Sequence, residues 1–138
     1  MMQRKWLNLA LLGLCLISLS LAACSPSGKL SDAFDVTAVE EAAVEIVELV
    51  NNNDGEAIRA RGTEELKTAL TDEALAPVFD AINAKGEFKE IARINLSGIK
   101  QSNTEYAVAV VIAKYADGTA TFTISFDTDM RLAGLYYR

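Results

Sequence analysis

The hydrophobic period of this chain changes once, near Gly86, and that change limits the folds open to it. Before Gly86 apolar residues recur at helical spacing, and after it they alternate as in half-buried strands. Thr37 with Glu40 predicts a capping box, followed by Val39, Ala43, Ile46, Val47 and Val50 on one helix face. Asn51-Asn52-Asn53-Asp54-Gly55 ends that helix. A short helix with Ala57 and Ile58 follows, then one capped by Thr63 with Leu66 and Leu70 on one face. Thr71 opens the last, with Leu75, Phe79 and Ile82 in line; Pro77 predicts a kink or restart within it, and Gly86 its end. The strand runs are Phe88–Leu96, Glu105–Tyr115, Thr119–Asp127 and Leu132–Tyr137, with Asp117-Gly118 as a tight hairpin signal. In the third run Ala120, Phe122, Ile124 and Phe126 fall on one face and Thr119, Thr121, Thr123 and Ser125 on the other. The predicted fold is α+β: N-terminal helices packed on one face of a four-stranded antiparallel sheet, spanning residues 35–138.

Charge follows the same division. Residues 32–90 hold fifteen acidic and five basic side chains, and residues 91–138 hold four and five. The chain of 138 residues has a net charge of −6. Without residues 1–23 it has 11 basic and 19 acidic side chains, a charge of −8. A domain of this size buries enough surface to fold without disulfides or metal.

The first residues read as an address. Met1 to Lys5 bear two positive charges, and Trp6 to Ala23 form an apolar run broken only by Asn8, Gly13, Ser18 and Ser20. This is the layout of a secretory signal. An uncleaved membrane span is the competing reading, because the run reaches the lower length limit of a spanning helix. The flank Ser25-Pro26-Ser27-Gly28-Lys29 reads instead as a tether. Leu21-Ala22-Ala23-Cys24 resembles the lipobox of bacterial lipoproteins. That resemblance implies removal of residues 1–23, lipidation of Cys24, and a lipidated, flexible tether over 24–34. Partnership with the membrane through that lipid, and an exported protein anchored to the cell membrane or outer membrane, follow from it. An ordinary cleaved signal, with Cys24 incidental, is the alternative. Two or more acyl chains anchor stably where one does not. Because Cys15 leaves with the signal and Cys24 is acylated, the resemblance leaves the domain no thiol for catalysis, disulfides or metal.

Residues from about Val39 to Tyr137 resemble a family of bacterial domains of unknown function found in lipoproteins. The matching stretches are Gly86-Glu87-Phe88-Lys89-Glu90-Ile91, Phe122-Thr123-Ile124-Ser125-Phe126-Asp127 and Leu132-Ala133-Gly134-Leu135. The family in turn resembles the nuclear transport factor 2-like cone, in which a curved sheet wraps a long helix and can leave a pocket. Met130-Arg131 stands where the family has a glycine-containing turn. The resemblance implies the fold and an envelope location, and it brings no catalytic residues.

The residues themselves offer little chemistry. With no histidine, a general base would be a carboxylate or lysine of shifted pKa. Ketosteroid isomerases of the broader fold use a carboxylate and a tyrosine, and Asp80 with Tyr106, Tyr115 or Tyr136 would be the counterparts. The simpler reading is a solvated helix residue and sheet packing. Asp127-Thr128-Asp129 has alternate oxygen ligands, but Met130, Arg131 and Leu132 break off any calcium loop, which leaves a strand-connecting turn. Arg59 and Arg61 are expected to pair with neighbouring carboxylates. There is no glycine-rich phosphate loop and no basic stripe, so no cofactor and no nucleic-acid partner is expected.

The expected function is therefore a membrane-tethered, non-enzymatic binding or interaction module. Its partners would be a second copy or another envelope protein. The alternative is a small-ligand pocket protein with weak carboxylate-based acid/base chemistry, its pocket formed by Tyr106, Phe122, Ile124 and Asp80.

Overall fold

A computed structural model describes residues 28–138; the signal segment 1–23, Cys24 and the start of the tether lie outside the described residues. Four helices precede a four-stranded antiparallel meander, the α+β order that the period change predicts. The helices are α1 (Val36–Asn51), α2 (Gly55–Ala60), α3 (Glu64–Ala69) and α4 (Asp72–Asn83). The strands are β1 (Phe88–Gln101), β2 (Thr104–Tyr115), β3 (Gly118–Phe126) and β4 (Leu132–Tyr137), hydrogen-bonded in chain order.

α1 buries the stripe read from its spacing, Val39, Ala43, Ile46, Val47 and Val50. Its cap lies earlier than Thr37: the Asp35 carboxylate accepts from the Ala38 N–H at 2.9 Å, so Thr37 falls inside the first turn. Thr63 and Thr71 cap α3 and α4 as expected, accepting from Leu66 and Ala74. Pro77 neither restarts nor splits α4. Both Pro77 and Glu73, whose carbonyl loses its partner to the proline, are exposed, so the carbonyl is not left buried and unpaired and the helix continues. Beyond the helix end, Gly86 at φ +79 turns the chain into β1.

Three junctions differ in detail from the sequence reading. β1 runs through Ser97-Gly98 to Gln101, because Gly98 pairs with Ala107 on one side and Gly28 on the other. Ser102 and Asn103, at φ 49 and 65, form its two-residue hairpin with β2. The Asp117-Gly118 hairpin forms with its tip at Ala116-Asp117, while Gly118 at φ +154 already pairs with Tyr115 and opens β3. At the β3–β4 connection Met130 itself takes the left-handed conformation, φ +59, in place of a glycine.

The core lies between α1 and the helix-side face of the sheet. Phe122, Ile124 and Phe126 of β3 meet Ala107, Ala109, Val111 and Ala113 of β2 there. The small alanines of β2 leave room for α1 to approach, and the large residues of β3 fill the remainder. Burying each such large side chain contributes roughly 1.5–3 kcal/mol. Both outer strands are partly covered at their free edges. Gly28 exchanges two backbone bonds with Gly98 on β1, and Leu132 of β4 bonds Arg61 and Thr63 between α2 and α3. Residues 28–34, expected as tether, are thus attached: Ser31 Oγ donates to Glu105 at 2.9 Å, and Phe34 is buried in the core.

Candidate functional site

The sheet has two unlike faces, and no described helix lies across the second. Cross-strand register sets that face: Thr121 opposes Ile112, Thr123 opposes Val110 and Tyr136, and Ser125 opposes Val108 and Gly134. Its centre is uncharged. Glu90 with Lys114, and Arg93, lie toward one end, Glu90 and Lys114 paired at 2.9 Å. In a domain whose acid is concentrated in the helices, this is the least acidic surface of the sheet.

A groove of about 530 Å³ opens on this face toward the β1–β2 hairpin. Tyr106 and Tyr136 line it with Ile99, Ser125, Gly134 and Glu65. Gly134 makes its depth possible: a Cβ there would stand 2.6 Å from Ser125 Oγ. Tyr136 is the most exposed large apolar side chain described, at 72%. The groove thus combines two aromatic rings, uncharged hydroxyls and a single carboxylate, suited to a contact surface that is apolar at its centre and hydrogen-bonding at its rim.

The four pocket residues expected from the sequence do not come together. Phe122 and Ile124 have no exposure and belong to the core. Tyr106 is on the opposite face of the sheet, in the groove. Asp80 is exposed on α4. The alternation of β3 does place one residue set inside and the other outside, so the phenylalanines are spent on packing against α1. Thr63 reads in the sequence only as a helix cap, Gly134 only as part of a matching stretch and Gln101 not at all, because the groove is assembled by β4 register and by the α2–α3 junction beside it.

Tyr115 is a structural tyrosine. Its hydroxyl donates to Asn51 Oδ1 at 2.7 Å, its ring meets Phe88 edge-on at 5.7 Å, and burial pushes its pKa above the ordinary value. Asp127 is a turn residue. Its carboxylate accepts from the backbone of Asp129 and Arg131 and from Arg131 Nε, at 2.9–3.0 Å, which uses the oxygens a cation would need. No group of three or more His, Cys, Asp or Glu side chains among the described residues is arranged to hold a metal ion. Arg59 donates to Leu70 O and Asp72, fastening α2 to the junction of α3 and α4, and Arg61 pairs with Glu45. At the surface, hydrogen bonds from Lys67 and Lys89 hold the Glu64 and Glu87 carboxyls below their usual range. No described helix is long and apolar enough to cross a membrane.

Comparison with known proteins agrees with this fold. The chain is similar to a protein from Ruminococcus gnavus ATCC 29149 solved by NMR, with 27% identity and a TM-score of 0.73 over 80% of this chain and 96% of that one. No curated protein matches. The domain family DUF3887, described as protein of unknown function, matches residues 43–135, from the middle of α1 to β4. The chain therefore belongs to the DUF3887 family.

Proposed function

We propose that this protein is a non-enzymatic binding module, tethered to the bacterial membrane through a lipid on Cys24, that engages a protein partner through the open face of its sheet. The observation that carries the reading is the uncharged centre of that face, with the Tyr106–Tyr136 groove at one end. Tyrosine-rich, charge-poor patches are the compositional mark of protein contact surfaces. Two copies of a domain of charge −8 repel through most of their surfaces, and this face is where that repulsion is least. It suits a two-fold contact with a second copy, or the neutral face of another envelope protein.

Placement of the carboxylates favours binding over catalysis. Asp80 lies on α4, apart from Tyr106, and Glu65 is an exposed residue at the groove rim. The test is photo-crosslinking in intact cells from position 123, on the open face, and from position 76, exposed on α4. A discrete crosslinked species from position 123 alone is expected. Equal yields from both positions, or none from position 123, would contradict the reading.

A further inference from the structure

We infer that the free edge of β1 around Gly98 is the side of the domain that rests on lipid headgroups, because the described residue nearest Cys24, Gly28, is clamped there. This inference rests on the lipid anchor at Cys24. Gly28 donates to Gly98 O at 3.1 Å and accepts from Gly98 N at 2.9 Å, an antiparallel bridge on the strand's free edge. The clamp depends on glycine: a Cβ on Gly98 would stand 2.8 Å from Lys29 O, with Leu30 and Ser31 backbone close behind. Ser31 to Glu105 and the buried Phe34 hold the next residues, so the segment does not pivot at Gly28. Between Cys24 and Gly28 there are only four residue steps, which at no more than ~3.5 Å each span at most about 14 Å.

A lipid anchor would therefore act on the β1 edge over a short reach, where a free tether ending at Phe34 would let any face approach. The charge of the rest of the domain acts in the same direction, since the edge is close to balanced where the helical half is strongly acidic. Lys29 and Lys100 lie on or beside this edge near Gly98 and form no ion pair among the described residues. Glu105, Asp32 and Glu40 are the nearby acids, and Glu105 accepts from Ser31. The helical half, fifteen acidic against five basic side chains, is repelled by an anionic leaflet and turns outward. The groove of Tyr106 and Gln101 then opens beside the bilayer surface, where a partner held in the same membrane would meet it.

The test uses the full chain, expressed in a bacterium, extracted from its membranes and reconstituted into phosphatidylethanolamine–phosphatidylglycerol vesicles containing a nitroxide-headgroup lipid. A fluorophore is placed on Gln101→Cys, near the clamp, or on Thr119→Cys. Thr119 pairs with Lys114, ten residues along β2 from the partner of Gln101, about 34 Å away. Vesicle flotation reads the anchor and quenching reads the orientation. Flotation with strong quenching at position 101 and little at position 119 is expected. In Gly98→Val and in the milder Ser31→Ala the difference should shrink while flotation persists. Flotation with equal or reversed quenching in the parent chain overturns the orientation alone. Failure to float overturns the anchor and the orientation with it.

Discussion

Tyr115 donates its hydroxyl to Asn51 Oδ1 at 2.7 Å, tying the end of α1 to the end of β2 across 64 positions of sequence. The bond sits where the helix leaves the sheet, beside the edge-on contact of Tyr115 with Phe88. Tyr115→Phe keeps the ring and leaves the Asn51 carbonyl without this donor, so urea unfolding at neutral pH should show a loss of about 1 kcal/mol. Because burial raises the Tyr115 pKa, the folded state holds the phenolic proton more tightly than the unfolded chain does. That contribution is complete below the ordinary tyrosine value of 10.0 and is lost as pH rises through the higher folded value. The parent chain should therefore lose stability on that alkaline limb, and Tyr115→Phe should lose less.

Asp127 closes the β3–β4 turn through three donors, at 8% exposure. Asp127→Ala leaves the Asp129 and Arg131 amides without that acceptor and should cost roughly 1–3 kcal/mol in thermal or urea unfolding. Added calcium should not shift the melting temperature of the parent chain. A calcium-dependent rise would mean that the carboxylate serves a cation and not the turn.

Most of the fold was legible because burial and period agree. The α1 stripe, the Thr63 and Thr71 caps and the alternation of β3 are local patterns, and each is realised as read. What was not legible depends on contacts between distant residues. Nothing near Gly98 announces that Gly28 will pair with it, so Ser97-Gly98 reads as a strand end where it is a strand interior. The groove was illegible for the same reason, since it joins β1, β2, β3, β4 and the start of α3. The expectation for Phe122 and Ile124 as pocket walls failed on packing: with α1 filling the helix side of the sheet, large residues at those positions become core.

Gly134 sets the groove floor against Ser125. Gly134→Ala turns the Ser125 hydroxyl aside and narrows the groove, and should cost less than the ~1–3 kcal/mol of core overpacking because the atom it meets is the rotatable end of a side chain. It should also weaken crosslinking from position 123 beyond what that loss of stability explains. The check is to compare it with Asp127→Ala at matched unfolding midpoints. Undiminished crosslinking would place the contact elsewhere on the sheet.

Cys24→Ser removes the thiol that would bear the lipid while leaving residues 28–138 untouched. Cell fractionation should move the protein from the membrane to the soluble exported fraction, with loss of the acyl mass. Retention in the membrane would contradict the anchor.

The most direct measurement is native mass spectrometry of the full chain extracted gently from its own membrane, alongside Thr123→Glu, which places a charge at the centre of the open face opposite Val110 and Tyr136. The account predicts an acylated protein carrying a second copy or another envelope protein, with that partner lost and the acyl mass kept in Thr123→Glu. An acylated protein that is alone in both samples, or a complex that survives Thr123→Glu unchanged, would contradict it.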